Sequence, residues 1–284
     1  MAARPYAEVI GDPVAHSKSP LIHNFWLAKL GIDAEYRTCH VRVEELADYF
    51  ARRRGDAAWR GCNVTIPHKE GVIGVLDRID AEAARIAAVN VVVREDQALA
   101  GYNSDAPGFM ESVLNLLNDA AAPGTALVFG AGGAARAIVF SLIDAGFQTH
   151  VLNRDPMRAA ALLGDAGGVS WLDPKAYQLG PMPRFNIHNP GNELCLIVNA
   201  TSLGMSGHPQ LEFGFGDVDE KLVVCDIVYA PLETRLLSEA RARGLRTIDG
   251  LAMLIGQASH AFSRFFGHPA PREHDPELRS LLTA

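Results

Sequence analysis

The segment Gly130-Ala131-Gly132-Gly133-Ala134-Ala135 limits what this chain can fold into more than any other. It follows the apolar run Thr125-Ala126-Leu127-Val128-Phe129 and opens an alanine-rich run from Ala134 to Ala145. A β-prone run, a tight glycine turn and then a helix is the arrangement that holds a dinucleotide pyrophosphate. Gly130 and Gly132 allow the turn and close backbone approach, and small Ala135 lets the helix pack on the strand. Backbone N–H groups at the helix start then face the phosphates, assisted by the helix dipole. Glycine-rich strand–helix turns also occur with no ligand, so the reading rests on the flanks as much as on the glycines.

The remaining composition narrows the class. A chain of 284 residues holds one large domain or two ordinary ones. Its 48% hydrophobic and 21% charged residues fit a soluble, well-buried protein. A net charge of -7 gives no electrostatic reason to expect a nucleic acid as partner. Cys39, Cys62, Cys195 and Cys225 are scattered, as free thiols are in a reducing compartment. Met1 to Pro5 lacks the apolar core of a secretion signal, and no run is long enough to span a bilayer. A cytoplasmic location with no membrane partner is expected. The histidines form no HxxxH pair, so no metal is expected either.

Strand-like and helix-like segments alternate along the chain. Strands are expected at 7–10, 34–41 and 61–66, with Asn63 and Thr65 on one side of the last. Helices are expected from Ser19 (as N-cap, with Pro20 at N1) to Gly31 and over 43–54. Residues 89–94 and 99–102 predict a hairpin, which puts Asn90 inside a strand. A helix is predicted to begin at Pro107 and run to about Leu117. Strands at 148–153, 194–199, 222–226 and 245–248 follow the glycine loop. Helices at 156–163, 234–243 and 250–266 separate and end them. This alternation argues for an α/β fold of parallel sheets covered by helices. The stretch 180–192 reads as an irregular loop.

Several motifs carry candidate chemistry. In Gly11-Asp12-Pro13-Val14-Ala15-His16-Ser17-Lys18-Ser19-Pro20, two hydroxyls meet a helix start, which suits an anionic group such as a carboxylate. Ser19 could equally be only a helix cap. Asn63-Val64-Thr65-Ile66-Pro67-His68-Lys69 ends a strand, where active-site groups of open α/β folds collect. Lys69 is either a solvated surface lysine or a proton-transfer group. Asp105 in Gly101-Tyr102-Asn103-Ser104-Asp105 is a turn former or a functional carboxylate. Asn90, in an apolar stretch, needs a backbone or a substrate partner. Asn199-Ala200-Thr201-Ser202 follows a buried strand at a ligand-facing sheet edge.

In order along the chain, HSKSP (16–20), NVTIPHK (63–69), AVN (88–90), GYNSD (101–105), GAGGAAR (130–136), NATSLGM (199–205), DIVYAPLETRLL (226–237) and DGLAMLIGQ (249–257) resemble the shikimate dehydrogenase family. The resemblance covers nearly the whole chain. It implies two α/β domains. Residues 1–105, completed by 249–284, would bind substrate, and 106–248 would be a Rossmann-like dinucleotide domain. The implied reaction is reversible reduction of 3-dehydroshikimate to shikimate, in aromatic amino-acid (chorismate) biosynthesis. By matching positions, Ser17 and Ser19 would bind the carboxylate. Asn63, Thr65, Asn90, Tyr229 and Gln257 would contact or frame the ring, and Lys69 and Asp105 would be the catalytic pair. Gly130, Ala131, Gly132, Gly133, Ala134, Asn153, Arg154, Arg158, Thr201, Ile227 and Gly250 would line the cofactor. A homodimer is compatible with the resemblance.

Cofactor choice turns on Asn153-Arg154-Asp155-Pro156-Met157-Arg158. An arginine there accommodates a 2′-phosphate, whereas an acid binds a ribose 2′-hydroxyl. Arg154 and Arg158 favour NADP; Asp155 leaves room for NAD, unless it serves as the N-cap before Pro156. Ser104 and Ala106-Pro107 depart from the family pattern without removing a catalytic group. The rival readings are an NAD-dependent quinate/shikimate dehydrogenase and a non-catalytic metabolite sensor of the same fold.

Overall fold

The computed structural model describes residues 3–117, 124–167, 194–216 and 218–284. They form two compact units, Met1–Gly108 with Ile255–Ala284, and Phe109–Leu254. The expected loop at 180–192 and the approach over 120–123 lie outside the described residues.

The first unit is built on six strands: β1 (Tyr6–Gly11), β2 (Glu35–His40), β3 (Trp59–Val64), β4 (Arg78–Ile79), β5 (Val91–Glu95) and β6 (Ala98–Tyr102). Their order is β2-β1-β3-β5-β6-β4. β1 runs parallel to β2 and β3, but β5 runs antiparallel to β3. The sheet of this unit is therefore mixed, parallel as expected at β1 to β3 and antiparallel through β5. The cause is the predicted hairpin, which turns at Asp96 with φ 56°, a left-handed conformation that aspartate tolerates.

Both faces of this sheet are covered, and the two-residue period shows it. Val91 and Val93 pack with Ala7, Val9, Tyr36, Ala261 and Phe265 on one face. Val92 packs with Ile10, Tyr49, Phe50, Trp59 and Val64 on the other. Glu8 breaks the apolar pattern: it is fully buried, and Arg53 Nη2 approaches its Oε1 to 2.8 Å.

Helices α1 (Ser19–Leu30), α2 (Leu46–Arg54), α3 (His68–Gly71) and α4 (Ala81–Ile86) connect these strands. Gly31 ends α1 at φ 63°, but Lys18, not Ser19, occupies the N-cap position. Ser19 is instead the first helical residue, because Ser17 Oγ, not Ser19, accepts a hydrogen bond at the helix start, from Ser19 N at 3.3 Å. The helix expected over 43–54 is split into a 3₁₀ turn (Val43–Glu45) and α2. Strand β3 stops at Val64, so Thr65 lies in the following turn, and Asn90 sits just before β5 rather than within it.

The second unit holds a fully parallel sheet of β7 (Thr125–Phe129), β8 (Gln148–Leu152), β9 (Leu194–Asn199), β10 (Val223–Asp226) and β11 (Arg246–Ile248). The order is β11-β10-β9-β7-β8, so the chain switches direction between β8 and β9. The C-terminal ends of β7 and β9 thus flank the switch point, where open α/β sheets bind ligands. Here run α6 (Gly133–Asp144), α7 (Pro156–Asp165) and α8 (Arg235–Ala242). Leu127, Phe129, Ile197, Val224, Leu236 and Leu237 form much of the core.

Two helices are shared between the units along the chain. α5 (Asp105–Leu117) begins two residues before the expected Pro107, because Asn103 Oδ1 accepts from Ala106 N and starts the turn earlier. α9 (Gly250–Phe266) spans the second boundary, and α10 (Asp275–Thr283) ends the chain. No helix among the described residues is long and apolar enough to cross a membrane.

Candidate active site

The topology of the first sheet brings the candidate residues to one edge. β1 and β3 are parallel, so the loops after Gly11 and Val64 leave the same end. β5 is antiparallel, so Asn90 enters at that end, and β6 delivers Asn103-Ser104-Asp105 there as well. Ser17, Asn63, Thr65, Lys69, Asn90 and Asp105 therefore share one sheet edge. Backbone bonds tie the loops together: Thr65 N donates to Ile10 O at 2.9 Å, and Val89 N to Lys69 O at 2.8 Å.

Lys69 Nζ is in direct contact with Asp105 Oδ2, and both side chains are largely buried, 15% and 6% exposed. The other carboxylate oxygen, Oδ1, accepts from Asn90 Nδ2 at 2.9 Å. Asn90 is itself fixed: Oδ1 accepts from Ser104 N at 2.7 Å, and Nδ2 also donates to Ser104 Oγ at 3.0 Å. Ser104 Oγ reaches Gln257 Oε1 on α9 at 3.4 Å. A buried ion pair is stabilising only when its remaining lone pairs are satisfied, and Asn90 does this for Asp105.

Asn63 is buried and donates from Nδ2 to the Asn90 carbonyl at 3.2 Å. Thr65 is half-buried in the turn, with Ile66 beside it exposed. Ser19 is buried, whereas Ser17 is half-buried. His68 was not expected at the site; it is buried, and its Nε2 lies 2.6 Å from Val41 O, which pins the lysine-bearing turn to the end of β2. Ser104 was also not assigned. No spacing pattern could have singled out either residue, since their roles depend on partners far away in sequence.

Tyr229 belongs to the second unit, as do all the candidate cofactor residues. Burial raises its phenol above the ordinary tyrosine range. Gly130 has φ 115°, and a Cβ there would lie 2.8 Å from Ala200 O, so only glycine fits this turn. Ala135 is fully buried, as close helix–strand packing requires. Helix α6 opens at Gly132 with no side-chain cap, which suits a phosphate received by its N-terminus. Gly250 is equally constrained: a Cβ would meet Ile227 O at 2.4 Å and Val228 O at 2.5 Å.

At the end of β8, Asp155 Oδ1 accepts from Met157 N at 3.0 Å and Arg158 N at 3.4 Å. Asp155 is thus the N-cap of α7. Arg154 and Arg158 flank it, both exposed, and Asn153 Nδ2 donates to Asp155 O at 3.1 Å. Thr201 is held by Asn199, whose Oδ1 accepts from Thr201 Oγ1 at 2.7 Å. Asn199 Nδ2 also donates to Asp226 Oδ1 at 3.0 Å, and Thr234 Oγ1 donates to Asp226 Oδ2 at 2.7 Å. This buried network, in which desolvation raises the Asp226 carboxyl above its usual range, braces the loop of Thr201 and Ile227. Asn199, Asp226 and Thr234 carry it; all three lie in the motifs quoted above, but their bracing role shows only in the fold.

Residues 9–92 match the family model for the shikimate dehydrogenase substrate binding domain. A relative from Sphingopyxis alaskensis named shikimate dehydrogenase (NADP(+)) is 48% identical, with 99% of this chain and 98% of the relative aligned. The crystal structure of shikimate 5-dehydrogenase from Thermus thermophilus in complex with NADP(H) and shikimate superimposes with a TM-score of 0.80. It is 37% identical and covers 98% of this chain and 99% of its own. Quinate dehydrogenase from Corynebacterium glutamicum in complex with NAD also gives 0.80, at 29% identity, covering 98% of this chain and 99% of its own. With 48% identity to the Sphingopyxis alaskensis relative over 99% of its length, the chain belongs to the shikimate dehydrogenase family.

Proposed function

We propose that this chain catalyses the reversible NADPH-dependent reduction of 3-dehydroshikimate to shikimate, a step of aromatic amino-acid biosynthesis in the cytoplasm. The unit of 1–108 and 255–284 binds the substrate, and the unit of 109–254 binds NADP. The buried contact of Lys69 with Asp105, completed by Asn90, carries this reading. A lysine so placed is no solvated surface cation.

NADPH, when bound, supplies the hydride. Lys69 Nζ holds the proton that the substrate's C3 oxygen needs as negative charge develops on it, and it takes that proton back in the oxidation direction. Asp105 keeps the ammonium at one position, because Asn90 restrains the carboxylate on its other side. Ser17 and Ser19 receive the substrate carboxylate. Thr65, Asn63, Asn90, Tyr229 and Gln257 read or frame the ring hydroxyls. Gly130 to Ala134 take the pyrophosphate, Thr201, Ile227 and Gly250 line the cofactor, and Arg154 with Arg158 meet the 2′-phosphate.

The capping role of Asp155 supports NADP over NAD, since its Oδ1 is turned to the first turn of α7. Asn153 supports the same turn. Initial rates of shikimate and quinate oxidation, each with NADP and with NAD, test the reading. Fast turnover with shikimate and NADP alone is expected. Comparable quinate turnover with NAD would reassign the chain, and no turnover with any pair would leave a metabolite sensor.

A further inference from the structure

Tyr36 on β2 is 1% exposed, and its hydroxyl donates to Asn63 Oδ1 at 2.6 Å. We infer that Tyr36 is a positioning residue of the substrate site, fixing the Asn63 amide so that one of its N–H groups remains for a substrate hydroxyl. The inference rests on the substrate-binding reading of Asn63.

The direction of each hydrogen bond follows from the partners. An amide has one accepting end and one donating end, and which is which must come from its neighbours. The backbone carbonyl of Asn90 can only accept, so it selects Asn63 Nδ2. Asn63 Oδ1 then faces Tyr36, and the phenol must donate. Burial pushes that phenol well above its usual range, so it keeps the proton it donates. Nδ2 carries two hydrogens; one goes to Asn90, and the second has no protein acceptor among the described residues.

Tyr36 is in turn held by α1 at both its backbone and its ring. Asn24 grips its backbone in both directions, donating from Nδ2 to Tyr36 O at 2.7 Å and accepting from Tyr36 N at 2.9 Å. The His23 ring stacks on the phenol ring, centroids 4.0 Å apart and planes within 5°. These contacts leave the hydroxyl little freedom to leave Asn63. The same helix begins at Ser19, so one element sets both the carboxylate-facing serine and, through Tyr36, the hydroxyl-facing amide.

Tyr36→Phe removes one oxygen and keeps the ring. The expected result is a roughly tenfold rise in KM for shikimate, the equivalent of one lost hydrogen bond. The kcat and the KM for NADP should stay within about twofold of the parent, since a positional defect of about one bond is confined to substrate binding. In an Asn63→Ala background the same substitution should change KM for shikimate by less than about twofold, because coupled residues lose their effect together. An unchanged KM in Tyr36→Phe, a full effect persisting without Asn63, or an equal rise in KM for NADP would each overturn the inference while the parent still oxidises shikimate. A parent protein that oxidises no shikimate would remove the functional reading and this inference with it.

Discussion

Asn90 Nδ2 and Asp105 Oδ1 are joined at 2.9 Å, on the carboxylate oxygen that Lys69 does not touch. The carboxylate is thereby divided, one oxygen for a neutral amide and one for the cation. Asp105 cannot rotate to give Lys69 both oxygens without breaking the hydrogen bond that Asn90 Nδ2 donates to it.

Lys69→Ala should cut turnover by about 10³-fold or more, the range of a lost proton-transfer group. Calorimetric affinities for shikimate and NADP should change little. Near-normal turnover would remove Lys69 from the chemistry.

Arg154 is exposed beside the α7 cap, where Asp155 has its own structural work. Arg154→Ala should raise KM for NADP by about tenfold or more while leaving KM for NAD nearly constant, as loss of a charge-assisted phosphate contact does. An equal loss for both cofactors would mean that Arg154 does not meet the 2′-phosphate.

His23 is fully buried, neither ring nitrogen has a hydrogen-bond partner among the described residues, and burial lowers its pKa from 6.5 to about 3. The folded protein therefore resists a proton that the unfolded chain accepts. Its contribution is intact above pH 6.5 and is lost progressively as pH falls from 6.5 towards about 3. Stability should drop by about 1 kcal/mol between about pH 6.5 and about pH 5.5 from this group alone. Urea midpoints of the parent and of His23→Phe across that range measure it. Parallel slopes would show that His23 is not the source.

Two glycines should respond to alanine with opposite signs. Gly164 lies within α7, and a Cβ there meets nothing within 4 Å, so Gly164→Ala should stabilise by about 0.5–1 kcal/mol. Gly250 opens α9 against two backbone oxygens, so Gly250→Ala should destabilise by about 1–3 kcal/mol despite the better helix former. Urea denaturation of the two variants reads both signs at once.

Much of this was legible in the sequence because local rules governed it. Thr125–Phe129 with Gly130 reads as a strand and a glycine-only turn, and Asp155-Pro156 as a helix cap, and both are present in the fold. The hairpin turning at Asp96 was also local, but its consequence, an antiparallel β5 in an otherwise parallel neighbourhood, depended on which strand it met. The same distinction separates the candidate residues. Lys69 and Asp105 lie in recognisable motifs, and the structure puts them in contact. Ser104 and His68 lie in the same motifs and Tyr36 outside them, but the importance of all three rests on partners 14 to 153 positions away. The short elements β4 and α4 were missed because six-residue helices and two-residue strands carry too few periods to register.

The first unit is discontinuous along the chain, and the order of synthesis gives that fact a consequence. Phe265, which a Cβ on Gly61 would strike at 2.8 Å, and Phe262, edge-on to Trp26, both come from the last stretch. As a polypeptide leaves the ribosome N-terminus first, domains fold as units once their sequence is complete. Residues 1–108 must then wait, with the apolar face around Tyr36 and Trp26 uncovered, until 255–284 emerge. The nucleotide-type unit, although it comes second, is the first to have its whole sequence available. The apolar face of the half built on residues 1–108 is thus the surface of this chain that stays uncovered longest during synthesis.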